Sequence, residues 1–334
     1  MKRVIVIEVG TSRSWEVELA PGATAEDLLR RLDRKGYALL RWGGSSPLPK
    51  GTCLTDVLED GDRVAIMQPS SVAAAVIAAR AICARLTPTD RQPEPVWDRQ
   101  AKVPGFDQNA MANLRACLVG AGALGGEIAE GLTRKGVGRL TIVDFDVVQT
   151  SNLSRQFFLD ADIHSSKALC LVRNLQPHGY MGSELVGWPV SFEQAVELEL
   201  DLESDVVISA VDDAQTRVAI SRYAAARKIP AIFAAVAAQA DHGVVFIQEV
   251  DGACFGCALP DQVEGQRTPC PGSPAVKDIM KTIGGVVLYA IDTLFMDRPR
   301  RWNLYDLSLA DGESNRYGTV ERRPDCKLCG GGDT

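Results

Sequence analysis

From residue 97 onward the chain alternates two rhythms. Short apolar runs (RACLVGAG, RLTIVDFD, DVVISAVDD, PAIFAAVA) are separated by stretches of helical character (EIAEGLTRKG, ALCLVRNL, TRVAISRYAAARK). Compact apolar runs bounded by turn residues read as strands buried on both faces. Regular alternation of strand and helix predicts an α/β unit, doubly wound, with a mostly parallel sheet and helices on both sides.

The first 68 residues follow a different plan. RVIVIEV and SWEVEL are β-favouring runs separated by the turn residues GTSRS. PGATAEDLLRRL then starts a helix, with Thr24 as N-cap and Asp27 three positions on, a capping box ahead of Leu28, Leu29 and Leu32. Further strands are expected around YALLRW and DRVAIMQP. The order strand–strand–helix–strand–strand resembles a β-grasp, the ubiquitin-like α+β fold. Residues 69–96 open Ala-rich, which predicts helix, and continue as the Pro-rich LTPTDRQPEPVW, a semi-rigid linker composition. The expected division is therefore 1–68, a ubiquitin-like domain; 69–96, a helical and Pro-rich linker; and 97–334, an α/β domain.

Composition narrows the function. With 46% apolar residues the chain has ample material for a core. A net charge of −7 without long runs of one sign argues against nucleic acid as a partner. The longest apolar stretch, Ser70–Ile82, falls short of the ~20 residues a bilayer span needs, and the N-terminus shows no signal-peptide pattern. A cytoplasmic protein with no membrane partner is expected. The three histidines, His164, His178 and His242, sit in no triad or metal spacing and receive no role.

Gly120, Gly122 and Gly125 form G-x-G-x-x-G between a strand and a helix. Such glycines let backbone approach a phosphate, and the helix N-terminus offers free N–H groups to it; the pattern is Rossmann-like. Asp144, at the end of the next strand, is placed to accept hydrogen bonds from ribose hydroxyls. Both features suit NAD and ATP alike. The following residues bring Asn152, Arg155 and Gln156 to the mouth of the site, and Lys167 adds a further cation. A triphosphate carries more charge than a dinucleotide and profits more from such a cluster, which favours ATP.

This segment resembles the ATP-binding domain of ubiquitin-activating enzymes and their bacterial relatives, the ThiF/MoeB/HesA adenylyltransferases. The resemblance rests on the glycine turn, Gly136-Val137-Gly138, Asp144 and the run Ser151-Asn152-Leu153-Ser154-Arg155-Gln156, and covers about residues 97–330. It implies that Lys167 contacts phosphates and that Asp212, in VDDAQTR, helps hold Mg²⁺ and ATP, with Arg217 matching the family arginine. Asp213 stands where the family has Asn. Arg99, in VWDRQ, matches the arginine that reaches the other subunit's triphosphate, which implies a homodimer.

Two C-x-x-C pairs, Cys254/Cys257 and Cys326/Cys329, supply the four thiolates of a closed structural Zn²⁺ site, an arrangement that related activating enzymes carry. A redox role is the rival reading, for which no thioredoxin-like context is present. Cys270 lies in the stretch where family members often place a reactive thiol, with Arg267 and Lys277 nearby in sequence. Cys53, Cys83, Cys117 and Cys170 read as packing residues. The implied reaction is ATP-dependent adenylation of the C-terminal carboxylate of a ubiquitin-like or sulfur-carrier protein ending in Gly-Gly, with thioester formation on Cys270 or transfer to a ubiquitin-conjugating-like enzyme as a further step. The alternatives are an NAD-dependent oxidoreductase, or a family member that adenylates a small peptide or a tRNA base. The N-terminal unit is expected to recruit a partner protein.

Overall fold

The computed structural model describes residues 2–8, 13–41, 48–67, 79–82, 96–179, 182–264 and 275–330. The N-terminal part contains β1 (Lys2–Glu8), β2 (Ser14–Leu19), α1 (Ala25–Arg31), β3 (Ala38–Arg41), α2 (Leu54–Val57) and β4 (Arg63–Met67). Its strands form a sheet in the order β2-β1-β4-β3, with β1 and β4 parallel and the outer pairs antiparallel. The Thr24 side chain accepts from the Asp27 N–H at 3.2 Å, and Asp27 Oδ2 accepts from the Thr24 N–H at 3.0 Å. That is the reciprocal capping box expected from the sequence. Val4, Val6, Val17, Leu19, Leu28 and Leu29 form the core between this sheet and α1.

The remainder is built on one nine-stranded sheet among the described residues. It comprises β5 (Ala79–Ile82), β6 (Arg115–Val119), β7 (Arg139–Val143), β8 (Glu184–Trp188), β9 (Val206–Ser209), β10 (Ala231–Val236), β11 (His242–Gln248), β12 (Leu304–Ser308) and β13 (Arg316–Gly318). The order is β13-β12-β11-β10-β9-β6-β7-β8-β5. The helices are α3 (Asp98–Ala101), α4 (Gln108–Asn113), α5 (Ala123–Lys135), α6 (Lys167–Leu175), α7 (Phe192–Glu197), α8 (Ala214–Arg227), α9 (Phe255–Ala258), α10 (Pro260–Glu264) and α11 (Lys277–Phe295).

The strand side chains explain the apolar runs. Along β6, Ala116 and Leu118 face the cluster built with α5, α6 and α11, while Cys117 and Val119 face the cluster built with α7 and α8. Ile208 and Val207 divide between the same two clusters on β9. A strand covered on both faces cannot alternate apolar with polar positions.

Two expectations need correction. The sheet is not mostly parallel. Only β10-β9-β6-β7-β8 pair in parallel, whereas β11, β12, β13 and β5 join antiparallel. After β10 the chain reverses through a short turn, with the Ala237 N–H bonded to the His242 carbonyl at 2.9 Å, so the next strand must run back. The Ala-rich stretch is also not helical over 79–82, where it pairs with β8 from Ala79↔Gly187 to Ile82↔Glu184. The unpaired backbone of an exposed β8 edge outweighs the helical propensity of alanine.

Parallel order reverses between β6 and β9, which start their crossovers in opposite directions. Open α/β sheets bind ligands in the crevice that forms there, beyond the carboxyl ends of the strands. Among the described residues no helix is long and apolar enough to cross a membrane. Ile208, at the middle of the sheet, is fully buried. Ile208→Ala is expected to cost about 2–5 kcal/mol, read as a lower urea midpoint with an unchanged slope.

Candidate active site

A cleft of about 450 Å³ opens at this switch point. Its floor is the turn from β6 into α5. Gly120 has φ +100°, and a Cβ there would stand 2.7 Å from the Ala210 carbonyl oxygen. A Cβ on Gly125 would stand 1.9 Å from the Gly120 carbonyl oxygen, so α5 packs directly against the turn. Gly122 differs: nothing lies within 4 Å of the Cβ it lacks, and it lines the cleft. A side chain there would project into open space that the first turn of α5 faces. Gly122 is the N-cap of α5 and provides no side-chain cap, leaving that turn's N–H groups to an anion.

Asp144 follows β7. Its Oδ2 accepts from the Ala121 N–H at 2.6 Å and its Oδ1 from the Asp146 N–H at 2.7 Å. Burial raises its pKa, against the opposing pull of Lys167. Each oxygen keeps a second lone pair, so the carboxylate retains capacity for hydroxyl donors. Lys167 begins α6, is 8% exposed, and places Nζ 2.8 Å from Asp146 Oδ2.

The loop after β7 folds into a short 3-10 turn, Thr150–Asn152. Asn152 is buried and its Oδ1 accepts from the Gln149 N–H at 2.9 Å, so that oxygen holds the turn. Arg155 Nη1 donates to the Ser151 carbonyl at 2.5 Å, and Gln156 presents a buried Oε1 without a hydrogen-bond partner among the described residues. Both residues line the cleft, with Asn152 and Lys167. Across from them Asp212 is exposed and also lines it. Asp213, the departure from the family pattern, is the N-cap of α8: its Oδ2 accepts from the Thr216 N–H at 2.8 Å and the Thr216 hydroxyl at 2.9 Å. Asn performs the same capping task, so the substitution keeps the local geometry. Arg217 is buried and donates twice to the Val211 carbonyl, at 2.7 and 3.1 Å.

The structure thus gathers Gly120, Gly122, Asp144, Asn152, Arg155, Gln156, Lys167 and Asp212 at one cleft. Gly125 supports it from behind. Arg99 lies exposed on α3 and is not part of the lining. Cys270, with Arg267 and Cys83, falls outside the described residues. Lys277 turns to Glu127 Oε1 at 2.6 Å and to the Arg155 carbonyl at 3.5 Å. Asp146 and the Ser191–Glu193 stretch after β8 went unassigned in sequence, although the D-x-D spacing of Asp144 and Asp146 marked the first of them. The ionisable lining comprises Asp144, Asp146, Glu193, Asp212 and Asp213 against Arg155, Lys167 and Arg217. Among the described residues the expected cations Arg155 and Lys167 are at the cleft, and carboxylates outnumber cations in its lining.

Beyond the end of β11 the four cysteines meet. Sγ–Sγ separations are 3.8 Å for Cys254–Cys257, 3.5 Å for Cys254–Cys326 and 3.5 Å for Cys257–Cys329, and all four sulfurs lie within 4.8 Å of one another. A tetrahedron of thiolates at Zn–S distances of ~2.3 Å has edges of about 3.8 Å, so the donor set fits a zinc ion. The Arg323 N–H points at Cys257 Sγ (3.3 Å) and the Leu328 N–H at Cys326 Sγ (3.4 Å). Burial raises the Cys326 pKa, but N–H donors from Leu328 and Cys329 and the neighbouring thiols outweigh it and bring it to about 7. By contrast burial pushes Cys117 up to about 12 and Cys170 up to about 11, which leaves these two as inert packing groups.

Fold and site together define a nucleotide-binding α/β enzyme with a thiol cluster on its sheet. The model of the ThiF family matches residues 97–328, and the chain belongs to that family. It is an enzyme of the E1-like adenylyltransferase type. The chain is 30% identical over 234 residues to the SAMP-activating enzyme E1 of Haloferax volcanii, covering 67% of this chain and 83% of the relative. It is 28% identical over 247 residues to the sulfur carrier protein adenylyltransferase of Thermus thermophilus, covering 70% and 90%. Among solved structures, Escherichia coli MccB in complex with MccA superposes with a TM-score of 0.59 at 16% identity, covering 73% of this chain and 76% of that one; this likeness concerns the fold.

Asp213→Asn is expected to leave the melting temperature within a degree or two, whereas Asp213→Ala removes the cap of α8 and costs about 1 kcal/mol, measurable by thermal unfolding of the two variants side by side.

Proposed function

We propose that this chain adenylates the C-terminal carboxylate of a ubiquitin-like or sulfur-carrier protein ending in Gly-Gly, consuming ATP and releasing pyrophosphate. The observation that carries the reading is the convergence, at one cleft, of the uncapped α5 N-terminus with Arg155, Lys167 and Asp212. Family membership supports ATP over NAD, since relatives in that family are named adenylyltransferases.

In this reading the glycine turn and the first turn of α5 hold phosphate, and Asp144 holds the ribose. Asn152 and Gln156 orient phosphate oxygens by donating their amide hydrogens; the open Oε1 of Gln156, an acceptor, would take a donor from the bound group. A carboxylate oxygen of the carrier attacks the α-phosphorus, the bond to the bridging oxygen breaks, and pyrophosphate leaves. The attacking carboxylate is already ionised, so no general base is required. Arg155 and Lys167 stabilise the charge that grows on the phosphoryl oxygens. Lys167 exchanges its partner Asp146 for phosphate. Mg²⁺, held through Asp212, would neutralise triphosphate charge beside the carboxylates of the described lining. Arg99 from a second copy in a homodimer is the further cation.

The four cysteines would hold structural Zn²⁺, and four thiolate ligands would leave it no role in the chemistry. Cys270 is the proposed acceptor of the acyl group, its sulfur displacing AMP from the adenylate to give a thioester, ahead of transfer to a ubiquitin-conjugating-like enzyme. The N-terminal sheet order β2-β1-β4-β3, crossed by α1, supports a β-grasp that recruits a partner. We assign the units to 1–68, a 69–96 stretch whose residues 79–82 join the α/β sheet, and 97–334, in a cytoplasmic protein.

Titration calorimetry with ATP–Mg²⁺ and with NAD⁺ tests the reading: binding of ATP alone is expected, and binding of NAD⁺ alone would overturn it. In ATP–pyrophosphate exchange with a Gly-Gly carrier, Arg155→Ala and Asp212→Ala are expected to lower turnover by about 10²-fold. Elemental analysis is expected to find one zinc per chain, lost with a drop in melting temperature in Cys326→Ser.

A further inference from the structure

We propose that the N-terminal sheet and β5 buttress the wall of the cleft beyond Asp144, with Ile7 as a positioning residue, so that nucleotide affinity depends on the N-terminal unit; this rests on the nucleotide reading above. The argument begins with β1. Its Val4 and Val6 face the N-terminal core, whereas Ile5 and Ile7 face away from it. A small sheet with a helix on one side would ordinarily present its other face to water. Here Ile7 and its register partner Ala65 on β4 are both completely buried. Ile7 belongs to one continuous apolar cluster with Val190 and Phe192, and those two residues line the cleft.

A second linkage reaches the same wall. β5 pairs with the outer edge of β8, and β8 pairs on its other side with β7. At the end of β8 the Trp188 carbonyl accepts from the Asp144 N–H at 3.1 Å. The chain then runs directly into Val190–Glu193, where Ser191 caps α7 by accepting from the Gln194 N–H at 3.2 Å. Phosphates belong at the glycine turn and ribose at Asp144, so the wall beyond Asp144 faces the adenine. Residues 2–8 and 79–82 thus fix that wall from two directions, one through packing and one through a strand ladder. A wall with a free outer strand and an uncovered apolar face would open more often. The N-terminal unit is then a part of the catalytic body and not a free arm.

The test uses the full chain without nucleotide. Hydrogen exchange is followed in peptides covering 143–146 and 188–193 for Ile7→Ala, Ile7→Val and Val6→Ala, the last trimming the opposite face of the same strand. Ile7→Ala is expected to speed exchange in both peptides and to weaken ATP–Mg²⁺ binding, each by about fivefold. Ile7→Val, which keeps the branched contact, stays close to the parent chain. Val6→Ala speeds exchange in residues 2–67 alone. Unchanged exchange at 188–193 in Ile7→Ala, or an equal rise in Val6→Ala, overturns the proposal. A parent chain that binds no ATP overturns the nucleotide reading instead, and the exchange result is independent of it.

Discussion

The site depends on a crossing of backbones too close for any side chain. The turn after β6 passes the end of β9 so tightly that Gly120 would bring a Cβ to 2.7 Å from the Ala210 carbonyl, and α5 returns over the turn at Gly125. Hydrogen bonds lock the crossing: the Gly120 N–H to the Val143 carbonyl and the Ala210 N–H to the Val119 carbonyl, both at 2.9 Å. Three strand ends are therefore held at one point. Each one launches a loop that supplies chemistry: the glycine turn from β6, Asp144 to Gln156 from β7, and Asp212 to Arg217 from β9. Rigid strand ends place these groups without any loop having to fix its own geometry.

Charge is the second organising fact. Among the described residues, five carboxylates and three cations line a cleft read as a triphosphate site. Buried acids beside phosphate would repel it, yet two of the five are occupied locally: Asp213 by the α8 N-terminus and Asp144 by two backbone N–H groups. Asp146 neutralises Lys167 and so keeps that cation in place when phosphate is absent. Asp212, exposed like Asp146 and Glu193, is the carboxylate assigned to Mg²⁺ in the proposed reading. The acidic balance is what one expects of a site that receives its substrate together with counter-ions, and less of one that binds a bare anion.

Much of this was legible in the sequence, and the parts that were not have a common cause. Strands β6, β7, β9 and β10 announced themselves because burial on both faces demands unbroken apolar runs. The capping box at Thr24 and the paired cysteines were readable because their meaning is fixed by short spacing. β5 was not, since ARAI has helical propensity and becomes a strand only because β8 offers it an edge. β11 to β13 went unassigned as strands: LYDLS and RYG carry no buried apolar run and form strands only by pairing outward from β10 through β11. Asp213 differs from the Asn of the resemblance, and only the Thr216 contacts show that it caps a helix. Non-local pairing decided each case that local pattern could not.

The antiparallel extension also explains why two cysteine pairs distant in sequence come together. β11 leads to Cys254 and Cys257, and β13 leads to Cys326 and Cys329. Because β12 runs antiparallel to both, β11 and β13 point the same way and deliver their following segments to one end of the sheet. Asn303 sets the register between them: its N–H bonds the Gly318 carbonyl, its carbonyl receives the Ile247 N–H, and its side chain bonds Val320 in both directions at 2.9 and 2.7 Å. The short antiparallel connections keep β11 and β13 one strand apart, and the cluster in turn closes a long loop, whose entropic cost rises only slowly with length.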